Sequence, residues 1–209
     1  MPRNGEQVRR RLQLAALELY RERGYEETTA AEIAAKAGVT ERTFFRHFPD
    51  KREVLFGGEA IFTDALSCAV RDAAPVLGPW DAMFVAFRAV EHIFIENRGF
   101  SEPRRRVIAN SPALQERELA KARSLIAALA SALCKREVPA HQASLAAQMG
   151  MAALSHAVAT WLDDGSSDLD EQIVRAFQQV RDLSSSGSEL TKVKPANLKR
   201  SRKARASSR

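Results

Sequence analysis

Between residues 6 and 183 the apolar side chains recur at steps of three and four, and no stretch alternates apolar with polar residues between turn signals. A period of 3.6 puts one stripe of each segment on a buried face, whereas a strand needs a period of two. The pattern constrains the chain to an all-α fold of about nine helices. The first predicted helix covers residues 6–23, with Val8, Leu12, Ala15, Ala16, Leu19 and Tyr20 in one stripe. Gly24 stands where a helix end favours a left-handed residue. Thr29 opens a second helix, because its hydroxyl can take the third N–H of the turn while Glu32 reaches back to its backbone. Ile33, Ala34 and Ala37 supply the buried side of that helix, and Gly38 ends it. Thr40 caps a third helix over 41–47, which stops ahead of Pro49. A longer helix is expected from Lys51 through Leu55, Ile61, Phe62, Leu66 and Val70. Beyond the breakers in "AAPVLGPW", helices are expected over 81–97, 104–110, 112–136, 139–163 and 168–184.

With 45% apolar and 28% charged residues, the composition is that of an ordinary globular protein. No apolar run approaches the roughly 18–20 residues of a membrane span, and "MPRNGEQVRRRLQL" lacks the apolar core of a signal peptide. The expectation is a cytoplasmic protein with no membrane partner. Cys68 and Cys134 stand singly in apolar, helix-like surroundings, which predicts two buried free thiols rather than a disulfide. Residues 184–209 carry eight of the 32 Lys and Arg but one of the 26 acids, leaving 24 bases and 25 acids before them. The net charge of +6 therefore belongs to a tail without periodicity, expected to be disordered. Any claim on nucleic acid has to come from a motif.

"TTAAEIAAKAGVTERTFFRHF", Thr28 to Phe48, is such a motif: two short helices joined by a tight glycine turn. A B-form major groove admits one α-helix. In a helix-turn-helix the first helix braces the second, here through Ile33, Ala34, Ala37 and Val39, and the second presents its N-terminal residues to base edges. Arg42 can address guanine O6 and N7, Glu41 can accept from cytosine N4, and Thr43 can touch a thymine methyl or a phosphate. Phe44 and Phe48 face inward. A helical hairpin inside a plain bundle would show the same spacing, so geometry alone leaves both readings open.

"GYEETTAAEIAAKAGVTERTFFRHFPDKREVL" resembles the N-terminal DNA-binding domain of TetR-family transcriptional regulators. The resemblance lies in Gly24–Tyr25, Thr28–Thr29, Ile33–Ala34, Ala37–Gly38–Val39, Phe44–Phe45, His47–Phe48 and Lys51. It implies a three-helix DNA-binding domain over 1–53, a helical ligand-binding and dimerisation bundle over 54–183, and the basic tail over 184–209. It further implies a homodimeric repressor on a pseudo-palindromic, double-stranded operator, released by a small-molecule effector. It implies that Thr29, Arg42, Thr43, His47 and Lys51 face DNA; with Glu41 from the helix geometry, and Thr40, Phe45 and Arg46 on the same segment, these are the candidate DNA-binding residues. Phe45 departs from the family, which most often has a tyrosine there whose hydroxyl reaches a phosphate; Arg46, His47 or Lys51 would compensate. His47 is either a phosphate contact or a buried spacer, and Lys51 either a phosphate contact or a cap on the preceding turn.

In the second part the expected ligand contacts are Phe62, Phe84, Phe87, Arg88, His92, Met149 and His156, with Trp80, Phe94, Met151 and Trp161 as further lining. Aromatic and methionine residues at helical spacing also serve as plain core. Arg88 and Glu91, three apart, can pair internally. "RRRVIANSPALQERELAKARSLIAALASAL" more distantly resembles the C-terminal domain of regulators that include those of mycofactocin systems, some of which respond to long-chain acyl-CoA. That would aim Arg104, Arg105 and Arg106 at phosphates; a solvated charge run is the alternative. Leu154, Val158, Trp161 and Leu162, with Ile173, Phe177 and Val180, form apolar faces expected at an isologous dimer interface. The same faces could instead bury each other within one chain. The strip Ala146, Gly150, Ala153 and Ala157 permits close helix approach. No Glu-x-x-His pair, phosphate-cradling glycine loop or catalytic triad stands out, so no catalytic residue, metal or cofactor is expected. A non-specific architectural DNA binder using the tail is the rival reading.

Overall fold

The computed structural model describes residues 2–185, so the expectation for the basic tail falls almost wholly outside the described residues. Ten α-helices follow one another: α1 (Pro2–Arg23), α2 (Ala30–Lys36), α3 (Glu41–His47), α4 (Glu59–Asp72), α5 (Pro79–Ala89), α6 (Glu91–Glu96), α7 (Arg98–Ala109), α8 (Pro112–Cys134), α9 (Ala140–Asp163) and α10 (Leu169–Ser185). Among the described residues there is no strand. No described helix is long and apolar enough to cross a membrane.

Three stretches differ from the periodicity reading by more than shifted helix ends. The helix expected from Lys51 to Val70 is instead a 3-10 turn, Glu53–Phe56, followed by a break and then α4. Gly58 makes the break at φ +94°, a left-handed conformation that a side chain would strain. The break turns Ile61 away from the core, leaving it 75% exposed. The expected helix 81–97 divides at Val90 into α5 and α6. α7 starts six residues before Arg104 and carries Pro103 internally, because Phe100 is anchored in a core that no local signal announces.

There are two cores. One joins α4, α5, α8, α9 and α10 around Leu66, Met83, Phe87, Leu129, Leu133 and Ile173. The other holds α1, α2 and α3 together through Leu12, Ala16, Ile33, Phe44 and Phe48. It does not stop at residue 53. Val54, Leu55 and Phe56 belong to it, as do Phe100, Val107, Ile108 and Leu114 of α7 and α8. Both cysteines correct the expectation. Cys68 and Cys134 are free but exposed, because the apolar neighbours that made them look buried lie on the other side of their helices. The Arg71 guanidinium donates to the Cys68 sulfur at 2.9 Å.

Charged side chains tie the two cores together. Glu53 pairs with Arg117 and Lys121, and Lys121 also pairs with Glu59 at the start of α4. Arg104 donates to the Leu55 carbonyl at 2.7 Å and to Glu118 at 3.2 Å. Its guanidinium lies 4.7 Å from the centre of the Phe56 ring. Burial, the largest influence on Arg104, pulls its pKa below the usual arginine value, and Glu118 opposes it.

Candidate nucleic-acid interface

Local chemistry sets α2 and α3 before any tertiary contact does. The Thr29 hydroxyl accepts from the Glu32 backbone N–H at 3.2 Å, while the Glu32 carboxylate accepts from the Thr29 backbone N–H at 2.9 Å and from its hydroxyl at 2.8 Å. This is a reciprocal capping box. These bonds hold the Glu32 carboxyl below its ordinary pKa. Between the helices Gly38 sits at φ +67°, and the Val39 N–H reaches back to the Ala34 carbonyl. Thr40 then caps α3, its Oγ1 accepting from the Thr43 N–H at 3.2 Å and lying 3.1 Å from the Thr43 hydroxyl. Phe44 and Phe48 are buried against α1 and α2, with ring centres 5.8 Å apart. The inward role expected of both aromatics holds.

The turn after α3 is locked to the rest of the head. Lys51 donates to the carbonyls of Tyr25, Glu26 and Thr28 at 2.9, 3.1 and 3.1 Å. Its ammonium also stands 4.3 Å from the centre of the Tyr25 ring. Tyr20 donates its hydroxyl to the Lys51 carbonyl at 2.6 Å, and burial drives the Tyr20 phenol far above its ordinary pKa. An ammonium has three protons to give. Those of Lys51 are occupied, which is the capping alternative of the two sequence readings.

What α3 leaves outward is Glu41, Arg42, Phe45 and Arg46. At about 100° per residue they span one continuous arc, with Arg42 and Phe45 near its centre. Glu41, Arg42 and Arg46 make no ion pair or side-chain hydrogen bond with any described residue. Thr43 is half-buried beside its cap. His47 is half-buried too, with Nε2 enclosed and without a hydrogen-bond partner among the described residues. Burial first, then the positive charges of Arg46 and Arg9, lower its pKa below the usual histidine value. His47 thus sits as a spacer would. Thr29 spends its hydroxyl on the capping box.

Of the residues expected around a ligand, Phe62, Phe84 and Phe87 share the larger core, while the polar ones do not join them. Phe84 and Phe87 pack on Phe177, with ring centres 5.2 and 5.9 Å away, and Trp80 joins them at 4.4 Å. Phe62 meets Phe94 edge-on at 5.3 Å. Met149 is half-buried, whereas His92 and His156 point into solvent. Arg88 turns away from Glu91 and forks onto Asp170 of α10, which corrects the internal pair. Arg104, Arg105 and Arg106 are each engaged within the chain, with Glu118, Asp163 and Glu102 respectively. Two surface clefts, of about 470 and 610 Å³, lie between the Pro49–Glu53 segment and α8 and along α10. Neither is lined by the expected ligand residues.

Most of the residues expected at a dimer interface follow the alternative of burial within one chain. Leu154, Trp161, Leu162, Ile173 and Phe177 are already buried in the single chain, and Val158 and Val180 are half-buried against the same core. Phe177 is 3% exposed. The apolar stripes of α9 and α10 face each other and α5, and only Val158 and Val180 of the expected interface keep part of their surface open. The small-residue strip does the same job. A Cβ on Gly150 would come within 2.8 Å of the Met83 side chain and 3.4 Å of the Phe87 ring. Absent from the sequence reading was the charged joint of Glu53, Glu59, Arg104, Arg117 and Lys121. Its partners lie as many as 68 residues apart, from Glu53 to Lys121, beyond any local signal.

Residues 14–56 match the family described as bacterial regulatory proteins, tetR family, and residues 77–184 match the MftR C-terminal domain. The HTH-type transcriptional regulator TcmR of Streptomyces glaucescens is 43% identical over 75 residues, 36% of this chain and 33% of TcmR. The match thus spans about a third of that relative's length. Among solved structures, a SmeT–triclosan complex superposes with a TM-score of 0.58 at 21% identity, over 82% of this chain and 88% of the other. A TetR-family regulator from Syntrophomonas wolfei does so with a TM-score of 0.62 at 19% identity, over 86% and 96%. These two likenesses concern the fold. With its capped reader helix at one end and an MftR-type domain matched over residues 77–184, the chain belongs to the TetR family of bacterial regulatory proteins.

Proposed function

We propose that the chain is a sequence-specific DNA-binding transcriptional repressor that works as a homodimer on a pseudo-palindromic operator. One observation carries the DNA half: the outward arc of α3 offers Glu41, Arg42 and Arg46 uncommitted. By contrast, the five arginines between residues 98 and 117 are all tied to carbonyls or carboxylates of the chain. Donors and acceptors left free on a helix that a groove can admit are what base readout requires. Selection from random DNA followed by gel-shift titration tests this. We expect one preferred, two-fold symmetric sequence, and Arg42→Ala should weaken it by about 1–3 kcal/mol and relax the preference at one position per half-site. Binding without sequence preference would instead support a non-specific architectural role.

For the effector we propose a small apolar molecule, with a long-chain acyl thioester as the class suggested by the MftR-type domain. The contacts of Arg104, Arg105 and Arg106 leave phosphate recognition to other groups. Such a ligand acts only if it binds the released conformer more tightly than the DNA-bound one. The joint of Glu53, Lys121 and Glu59 lies between the head and the bundle, where such a difference would pass. Titrating an acyl-CoA into the protein–operator complex should lower occupancy, and unchanged occupancy at saturation would reject this ligand class.

A further inference from the structure

The one apolar member of the reading arc is Phe45, 49% exposed and placed between charged neighbours. Its ring is not loose: it meets the buried Phe44 ring edge-on, with centres 5.3 Å apart and planes at 85°. It lies one turn after Arg42, near the middle of the outward arc, so a helix that docks with Arg42 on the base edges brings Phe45 to the groove floor as well. The floor of a major groove is lined by hydrogen-bonding atoms, and the one apolar group it presents is the thymine C5-methyl. A phenyl ring set against N7, O6 or an exocyclic amine would strip water from these atoms and return no hydrogen bond. Set against a methyl, it removes apolar surface from water on both sides. A ring without a hydroxyl has nothing to offer a phosphate.

Resting on the DNA-binding reading above, we infer that Phe45 is a specificity-determining residue that recognises the 5-methyl group of a thymine in each half-site. It replaces a backbone contact by a base contact. The position then contributes to sequence choice rather than to uniform affinity.

The test crosses the protein side chain with the base methyl. The full chain is titrated against its selected operator, and each thymine is replaced in turn by deoxyuridine, which lacks only that methyl. We expect one symmetry-related thymine pair whose replacement weakens wild-type binding roughly four-fold per site, the factor for one buried methyl-sized group. In Phe45→Ala the same replacement should change nothing. The titrations are run at low salt, where phosphate contacts keep the weaker variant measurable. Because Phe45 meets the buried Phe44 ring, an unchanged melting curve must accompany the truncation. If no thymine methyl matters to the wild type, or if the loss persists in Phe45→Ala, the inference is overturned while sequence-specific binding stands. If the wild type shows no preferred sequence at all, the proposed function falls and takes this inference with it.

Discussion

Lys51 shows how one side chain can carry two meanings that only contacts separate. Its place after α3 makes it look available to a phosphate, yet its ammonium closes the turn 25–28 by donating to three carbonyls. Removing it leaves those carbonyls short of partners, and an unsatisfied, partly buried polar group costs about 1–3 kcal/mol. Lys51→Met should therefore lower the thermal midpoint of the free protein. A variant that melts like the wild type but binds DNA more weakly would show that the ammonium leaves its carbonyls for a phosphate. The capping residues were readable in advance. Thr29, Glu32 and Thr40 act on backbone groups three positions away, so spacing alone announces them. Lys51 reaches back 23 to 26 residues, and spacing says nothing of that.

At the scale of elements, the joint between α6 and α10 holds an electrostatic strain. Burial, and then the charges of Asp170 and Asp168, raise the Glu91 carboxyl above its ordinary pKa, with a hydrogen bond from the Asp170 backbone and then the charge of Arg88 only partly opposing them. A carboxyl whose folded pKa lies above its unfolded one adds stability that is full at acid pH and is lost as pH rises through the folded value. At pH 7 the ionised Glu91 therefore destabilises the fold. Glu91→Gln should raise the thermal midpoint at pH 7, and the gain should shrink as pH falls toward the ordinary glutamate range. A gain independent of pH would point to packing rather than ionisation. The helices themselves were legible from the 3.6 period. Their interruptions at Gly57–Gly58 and Val90 were not: the apolar period runs on past the glycine pair, whose Gly58 takes the left-handed conformation, and Val90 carries no breaker signal at all. Periodicity reports that a face is buried, not whether one straight cylinder can bury it.

Across the whole molecule, the aromatic cluster around Phe177 is the centre of the larger core rather than a contact between copies. Phe177→Ala should destabilise the single chain by about 3–5 kcal/mol, seen as a lower unfolding midpoint at every protein concentration. We propose that the dimer uses the outer faces of α9 and α10, where Leu145 and Val174 are exposed. Val174→Arg should shift the sedimenting species toward the monomer without loss of helical signal; an unchanged mass would move the interface elsewhere. The sequence by itself determined the helical class, the capped pair α2–α3 and the inward aromatics Phe44 and Phe48, because each follows from interactions within a few residues. It also showed that α9 and α10 are amphipathic. Tertiary structure alone decided what their apolar faces meet, where Arg88 and Arg104 find their carboxylates, and that Cys68 and Cys134 face water. A stripe of apolar residues encodes the need to be covered. The identity of the cover depends on the arrangement of all ten helices at once.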